Sequence, residues 1–461
     1  MTSLKQNFTL QNLISTICRF PLVSLCSLIA TIIGVSWILV EFEYPVLMKL
    51  FLLCVLGMLL FLAIALFLEQ QNWELWKKWL VRVAGIVFLA LYYFILPGVV
   101  NDGLTKNIIR YVILFGCFCL TVLFMGYLSK WHNKDFWHFV KTLAIMFVIT
   151  GAICGFVYGA LSVALLTVSA LFMFEFSGKI FFAGWIIMVM LIAVHFFLLF
   201  IPKKIRNLSE NSEPPVWIKA IAKFLLIPLV CLYFLIVYAY SIKILFVGEW
   251  PRGIVASLII GFSVFGIITC SIVWAYKNKS KWLRVFYRAV FIAIVPLTGI
   301  LFWAIKLRIN DYGVTERRYL VVLLGIWLLA IGLLFAIWKN AAIKIIPISI
   351  CVMLILSLFG PWGMFEVSMN AQINRLQVLL EKHQILVDGK ITSEEKFVQS
   401  DEYKKLKNTL NYIVLNYGYE NLQPWFERNL DLVLKDKRKY LWDNQLLQEM
   451  GVKNDFVIHK D

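Results

Sequence analysis

The sequence predicts an all-α protein: a polytopic bundle of transmembrane helices followed by a small C-terminal α-helical domain. Of its 461 residues, 61% are hydrophobic and only 15% are charged, whereas soluble proteins carry about 25% charged residues. The hydrophobic residues lie in continuous runs of about twenty, the length that an α-helix needs to cross the hydrocarbon core of a bilayer. Strands of a membrane barrel would alternate in polarity instead, so these runs predict helices.

Eleven runs are long and apolar enough to be predicted as membrane-spanning helices. They lie near residues 21–40, 45–68, 80–100, 108–128, 139–159, 181–201, 217–241, 254–275, 289–307, 319–338 and 344–363. Residues 160–174 prolong the fifth run, and we expect them to form a short re-entrant or interfacial helix. The alternative is a twelfth span, which would invert the orientation of every later helix. Residues 1–364 are therefore predicted to form the transmembrane bundle.

Lysine and arginine are concentrated in every second loop between the predicted spans. These basic loops lie near residues 77–78, 130–134, 203–206, 277–288 and 339–344. Because loops rich in Lys and Arg stay in the cytoplasm, the N-terminus is predicted to be cytoplasmic and residues 365–461 to lie outside. Those last residues hold 14 Lys and Arg against 15 Asp and Glu, so the net charge of +17 belongs to the membrane part. We therefore expect no nucleic-acid partner.

Motifs that indicate catalysis are missing from the sequence. It contains no Gly-x-x-x-x-Gly-Lys phosphate loop, no His-Glu-x-x-His and no Gly-x-Ser-x-Gly elbow. The five histidines are scattered, and no acidic residue lies in the middle third of a predicted span, where proton and cation relays place one. The sequence therefore favours a protein without enzymatic activity, metal or cofactor.

The densest polar cluster of the membrane part is Arg308-Ile-Asn-Asp-Tyr-Gly-Val-Thr-Glu-Arg-Arg318. Residues 310–313 suit a tight turn, and Thr315 and Glu316 suit the start of the next helix. Its arginines lie outside, against the usual charge preference, and arginine binds phosphates and carboxylates in a bidentate manner. The alternative is that they pair with Asp311 and Glu316. A second outer loop contains Trp250 and Arg252, and it suits either an aromatic belt at the membrane surface or a lid. The candidate ligand-binding residues are Arg308, Asp311, Tyr312, Arg317, Arg318, Trp250 and Arg252.

Further residues inside the spans are candidates for lining a cavity. Prolines can break a helix, and broken helices expose backbone groups that bind substrates in several transporters; the alternative is a simple kink. A histidine near the centre of a span could contact a ligand, and the alternative is a hydrogen bond to a neighbouring carbonyl. The cavity candidates are Pro228, Tyr233, Tyr240, Pro296, Thr298 and His195.

Gly151-x-x-x-Gly155-x-x-x-Gly159 places three glycines on one face of the fifth predicted span. Such spacing is typical of membrane helices that approach each other closely. We interpret it as a helix-packing signal rather than as part of a binding site.

Residues 365–461 predict a small α-helical domain. Residues 368–384 carry apolar side chains at helical spacing, and Asp388-Gly389 suits a turn. Residues 392–395 resemble a capping box ahead of a helix over 401–417 that Gly418 ends, and a further helix is predicted over 423–438. We expect this domain to rest against the outer surface of the membrane that the helices span and to offer a surface for an envelope protein partner.

Four stretches carry a family resemblance: Trp250-Pro-Arg-Gly253, the run from Arg308 to Arg318 followed by Trp327, Gly360-Pro-Trp362 and Asp388-Gly-Lys-Ile391. In them the chain resembles the bacterial membrane proteins called domain of unknown function 4153. The resemblance covers most of the chain and is strongest over residues 217–391. It implies a multi-pass bacterial envelope protein, and it implies no activity, substrate or catalytic residue.

These observations favour a non-enzymatic envelope protein that binds a lipid, an anionic ligand or a partner protein at its outer face. One alternative is a secondary transporter or flippase that uses proline-broken helices. Another is a membrane-embedded transferase acting on a lipid-linked substrate, for which Asp311 and Glu249 are the candidate outer acids.

Overall fold

The protein is all-α, and ten of its helices are long and apolar enough to cross a membrane. The computed structural model describes residues 10–40, 45–96, 104–128, 133–202, 215–248, 254–338, 341–392, 394–434 and 442–455. An additional apolar helix, Ile345–Leu358, is shorter. Each of the eleven predicted spans falls on one of these helices. The chain is therefore a multi-pass membrane protein, as its hydropathy predicts.

The helices follow one another with short connections. They are α1 (Leu10–Arg19), α2 (Pro21–Val40), α3 (Pro45–Leu68), α4 (Leu75–Ile95), α5 (Leu104–Phe124), α6 (Asn133–Phe172), α7 (Gly178–Leu199), α8 (Val216–Val247), α9 (Ile254–Val273), α10 (Lys281–Tyr312), α11 (Glu316–Ile337), α12 (Ile345–Leu358), α13 (Met364–Lys382), α14 (Ser400–Tyr417), α15 (Leu430–Val433) and α16 (Trp442–Glu449). Helices α7 and α8 each contain a π-helical stretch, Ile187–Ala193 and Ala222–Leu226.

The fifth span, α6, is one uninterrupted helix of 40 residues, which at 1.5 Å per residue is about 60 Å long. The prediction of a separate re-entrant helix over 160–174 is wrong, because residues 160–172 continue α6. No proline interrupts it, and in lipid a continuous helix keeps every backbone group bonded. The three glycines of α6 also differ from expectation: a Cβ at Gly151, Gly155 or Gly159 would have no atom of the described residues within 4 Å.

Two hydrophobic cores hold the spans together. The first includes Phe20, Leu56, Cys117 and Phe139, which come from the first half of the bundle and are at most 1% exposed. The second joins α8 to α11 and includes Phe262, Phe291 and Leu328. Gly325 lets α10 and α11 approach closely, since a Cβ there would lie 2.8 Å from the Phe302 ring. Small residues serve this purpose in membrane helices, where packing rather than hydrophobicity drives association.

Polar contacts define two ends of the bundle. At one end, which we call the basic end, Arg19 binds Glu69 through Nε at 2.7 Å, and Lys344 donates to the Tyr127 carbonyl at 2.9 Å. At the other end, which we call the tail end, helices α5 and α13 begin, and Lys106 lies 3.9 Å from Glu366. These contacts agree with eleven spans that cross the membrane in alternating directions. The loop between α10 and α11 therefore lies at the tail end.

The tail has a core of its own, formed by α13, α14 and α16 together with four short strands. Strands β1 (Leu386–Val387) and β2 (Lys390–Ile391) form an antiparallel hairpin, and β3 (Lys396–Val398) pairs with β4 (Val452–Asn454) in parallel. The turn at Asp388-Gly389 is confirmed, with positive φ at both residues. Helix α14 ends at Gly418 as predicted, where φ is 79°.

Two predictions for the tail are wrong. Thr392 and Glu395, the two capping positions of that prediction, do not cap a helix, because the chain continues into β3 and the N-cap of α14 is Gln399; residue 393 lies outside the described residues. The helix over 423–438 is replaced by a 3-10 turn at Gln423–Trp425 and the short α15; residues 435–441 lie outside the described residues. Strand β3 pairs with β4, which begins 54 residues after β3 ends. This long-range pairing overrides the local preference for a helix, and the local spacing of residues cannot predict it.

Candidate anion-binding site

The loop between α10 and α11 is tighter than the sequence indicates. The prediction of a turn over residues 310–313 is wrong at its start, since α10 continues to Tyr312 and only Gly313 leaves the helix, with φ at 71°. Glycine adopts this left-handed conformation at no steric cost. Thr315 occupies the N-cap position of α11, as predicted, without a capping side-chain hydrogen bond. The reversal therefore takes only residues 313–315, which we call the turn.

Side chains hold the backbone of this turn from both sides. Arg318 donates to the carbonyl of Tyr312 at 3.0 Å and to that of Gly313 at 2.6 Å. From the tail, Gln372 donates to the carbonyls of Tyr312 at 3.1 Å and Val314 at 2.7 Å, and Arg375 donates to the carbonyl of Asp311. Carbonyls that a helix end leaves without partners are satisfied in this way, and the turn is fixed.

A cavity of about 440 Å³ lies between the ends of α9, α10 and α11. Its polar lining consists of Ser257 and of Arg308, Asp311, Tyr312, Arg317 and Arg318. The last five are among the seven residues that the sequence nominates as ligand-binding. One to two helical turns deeper, the lining becomes apolar, with Ile260, Ile305 and Val321. Trp250 and Arg252 lie outside the described residues. The cavity is therefore amphiphilic, with a charged mouth and an apolar interior.

The three arginines of the cavity have different roles. Arg318 is committed to the turn, and its guanidinium also lies 5.4 Å from the centre of the Tyr312 ring. Within the part of the chain that the structure describes, the side chains of Arg308 and Arg317 form no hydrogen bond or ion pair. The positive ends of α9 and α11 add to their field, and the negative end of α10, whose last carbonyls accept hydrogen bonds from Arg318, Gln372 and Arg375, opposes it. Among the described residues of the lining there are three arginines and one acidic group, Asp311, so the cavity favours an anion.

Glu316 does not pair with these arginines, which corrects the alternative of internal pairing for this residue. Its carboxylate is buried and accepts hydrogen bonds from the phenols of Tyr412 and Tyr417 of α14. Burial raises the pKa of both tyrosines, and the hydrogen bonds to Glu316 raise it further. Through this contact the tail domain is attached directly beside the cavity.

Sequence reasoning missed four residues of this region: Gln372, Arg375, Tyr412 and Tyr417. Burial lowers the pKa of Arg375, which agrees with its position between α13 and the turn. All four lie between 55 and 105 residues after the residues that they contact. No pattern of local spacing could have predicted such pairings.

The cavity candidates inside the spans are packed elsewhere. Helix α10 continues through Pro296, and Thr298, which is fully buried, donates to the Val295 carbonyl at 2.6 Å. Pro228 follows the π-helical stretch of α8 without breaking the helix. The helix breaks on which the transporter alternative depends are therefore not formed.

The remaining candidates likewise do not reach the cavity. Tyr233 and Tyr240 pack against the second core, and the Tyr233 ring contacts Phe262 edge-on at 6.1 Å. His195 donates from Nδ1 to the Leu191 carbonyl at 2.8 Å, which is the structural alternative considered for it. Among the described residues, no three His, Cys, Asp or Glu side chains are grouped to hold a metal ion.

The fold and this site define a multi-pass membrane protein with an amphiphilic cavity at one end of the bundle. The family profile described as "Domain of unknown function (DUF4153)" matches residues 24–382, which is most of the chain. The protein belongs to this family, as the resemblance of its motifs indicates. An uncharacterised protein of Pasteurella multocida (strain Pm70) is 31% identical over 246 residues, which cover 49% of this chain and 42% of that protein. No solved structure matches the chain.

Proposed function

We propose that the protein is a non-enzymatic membrane protein that binds the anionic group of an amphiphile, such as the phosphate of a lipid, in the cavity between α9, α10 and α11. The observation that carries the proposal is that Arg308 and Arg317 face a 440 Å³ cavity without a protein partner among the described residues. Guanidinium groups recognise phosphate through paired N–H donors.

The apolar interior supports an amphiphile rather than a free anion. A lipid phosphate at the mouth would leave its acyl chains against Ile260, Ile305 and Val321. These residues belong to helices that are long and apolar enough to span the membrane, so the chains would remain at hydrocarbon depth. A free inorganic anion would gain nothing from this part of the cavity.

We further propose that the protein lies in a bacterial inner membrane with the basic end in the cytoplasm and the tail in the periplasm. The distribution of Lys and Arg supports this orientation. Cysteines introduced at Ser280 and Glu394, in a background without native cysteines, test it with a membrane-impermeant maleimide on intact cells. Labelling at Glu394→Cys alone is expected, and labelling at Ser280→Cys alone would reverse the orientation. The envelope protein partner of residues 365–461 stays a prediction.

Binding is tested with short-chain phosphatidic acid titrated into the purified full-length protein. The variant Arg308→Ala/Arg317→Ala is expected to lose binding by about 10- to 100-fold, because a hydrogen bond to a charged group contributes about 1.5–3 kcal/mol. Lys281→Ala/Arg284→Ala is the matched control, since it removes the same two positive charges from the opposite end of α10 and from exposed positions. Equal binding by wild type and the double variant would contradict the proposal.

A further inference from the structure

A second, wider groove adjoins the cavity. It lies between the end of α10 and the tail helices α13 and α14, and its volume is about 640 Å³. Asp311 and Tyr312 line both spaces, so the cavity and the groove share a wall. A ligand whose anionic group lies at Arg308 and Arg317 could therefore continue past Tyr312 into the groove.

The lining of the groove differs from that of the cavity. Its polar groups are two amides and charges of both signs, namely Asn310, Asp311, Asn374, Arg375 and Lys405, and apolar side chains supply the rest of the lining. Together the polar groups supply both hydrogen-bond donors and acceptors. A second phosphate would favour a uniformly positive lining, whereas hydroxyl groups, which both donate and accept, suit this mixture.

The groove also contains an aromatic surface. The Tyr312 side chain is 49% exposed, while Arg318 lies against its ring and holds its carbonyl together with Gln372. An aromatic ring with an apolar face and a polar tip suits the C–H face of a sugar. Because the ring and the turn are already held in place, little ordering cost is added when a ligand binds.

We propose that this groove is a sugar-binding subsite, so that the ligand of the protein is a lipid whose anionic group carries a sugar. This inference rests on the proposed function. The lipid phosphate binds Arg308 and Arg317, the acyl chains occupy the apolar interior, and the sugar lies against Tyr312 with its hydroxyls bonded to Asn374 and Arg375. The cavity, at about 440 Å³, and the groove, at about 640 Å³, each lie within the range of about 300–1,000 Å³ that is typical of small-molecule sites.

The test compares two phosphodiester lipids with the same acyl chains and the same charge: dioctanoyl phosphatidylglucoside, which carries the sugar, and dioctanoyl phosphatidylmethanol, which does not. Wild-type protein is expected to bind the glucoside at least about tenfold more tightly, which corresponds to two or more hydrogen bonds. Asn374→Ala is expected to reduce this ratio by about 3- to 10-fold without changing the affinity for phosphatidylmethanol. Asn408→Ala, an exposed asparagine of α14 outside the groove, is the matched control.

Three outcomes separate the proposals. Equal affinity of the wild type for both lipids, with binding still lost in Arg308→Ala/Arg317→Ala, overturns the sugar subsite and leaves the proposed function intact. Failure to bind either lipid overturns both. Glucose 1-phosphate, used as a soluble probe, is expected to bind at least about 100-fold more weakly than the glucoside because it buries no acyl chain; equal affinity would overturn the assignment to a lipid.

Discussion

Removing the hydroxyl groups of Tyr412 and Tyr417 should loosen the attachment of α14 to the bundle. Both phenols donate to the Glu316 carboxylate, which is only 8% exposed. A hydrogen bond to a charged group contributes about 1.5–3 kcal/mol, and a buried carboxylate left without donors is destabilised further. Protonation of Glu316 in the variant would offset part of this loss. We expect Tyr412→Phe/Tyr417→Phe to weaken the attachment of α14 to α11 by about 3 kcal/mol.

The measurement is hydrogen–deuterium exchange of the purified protein, followed by peptides from α11 and α14. A loss of about 3 kcal/mol raises the exchange rate of amides protected by this contact by about 100-fold. Tyr403→Phe is the control, because Tyr403 belongs to the same helix but packs in the core of the tail. Unchanged exchange in the double variant, or the same increase in Tyr403→Phe, would refute the reasoning.

The same contact should depend on pH. Burial and the bonds to Glu316 raise the pKa of Tyr412 and Tyr417 above the ordinary value of 10.0, so the folded state favours the neutral phenols. Their contribution to stability is complete below pH 10 and is lost as the pH rises through the raised pKa values. After correction for the base-catalysed rise of intrinsic amide exchange, the protection of wild-type α14 should therefore fall above pH 10, and the double phenylalanine variant should lack this fall.

Three further predictions concern the packing of the helices, the turn and the Arg19–Glu69 ion pair. Gly325→Ala should destabilise the bundle by about 1–3 kcal/mol, because its Cβ would lie 2.8 Å from a ring of α10. Gly155→Ala, with open space around it, should be neutral or slightly stabilising. Thermal unfolding in detergent compares the two variants, and equal effects would contradict the packing of α10 on α11. Gly313→Ala should weaken ligand binding and raise exchange in the turn, since φ is 71° and its Cβ would lie 2.7 Å from a tail side chain; unchanged binding would argue against a role for the turn. Arg19→Lys should lower the thermal midpoint, because lysine cannot reproduce the paired bonds to Glu69 at 2.7 and 2.8 Å, and an unchanged midpoint would show that this pair contributes little.

The sequence predicted the spans well because membrane helices follow a local rule. Lipid requires each crossing to be a continuous apolar helix of sufficient length. Whether a segment meets this requirement depends only on the residues of that segment. The error at residues 160–174 arose because length alone predicted a break. The structure retains one helix, Asn133–Phe172, since no residue in it favours interruption.

Part of the candidate site was also predicted from a local property of the sequence, its charge. Charged residues are rare in the membrane half, so Arg308, Asp311, Arg317 and Arg318 were conspicuous, and all four line the cavity. Their individual roles could not be predicted. Arg318 holds the turn while Arg317, its neighbour in sequence, does not, because adjacent residues on a helix point in different directions.

The amino-acid sequence by itself determined that this chain is a multi-pass helical membrane protein, which loops are basic and where along the chain its polar cluster lies. Only the tertiary structure decided that the tail grips the turn through Gln372 and Arg375, and that Glu316 is bound by tyrosines rather than by arginines. Hydropathy and helix periodicity act over a few residues and can be read along the chain. A cavity is formed by side chains distant in sequence, so its shape and free charges depend on how the helices pack.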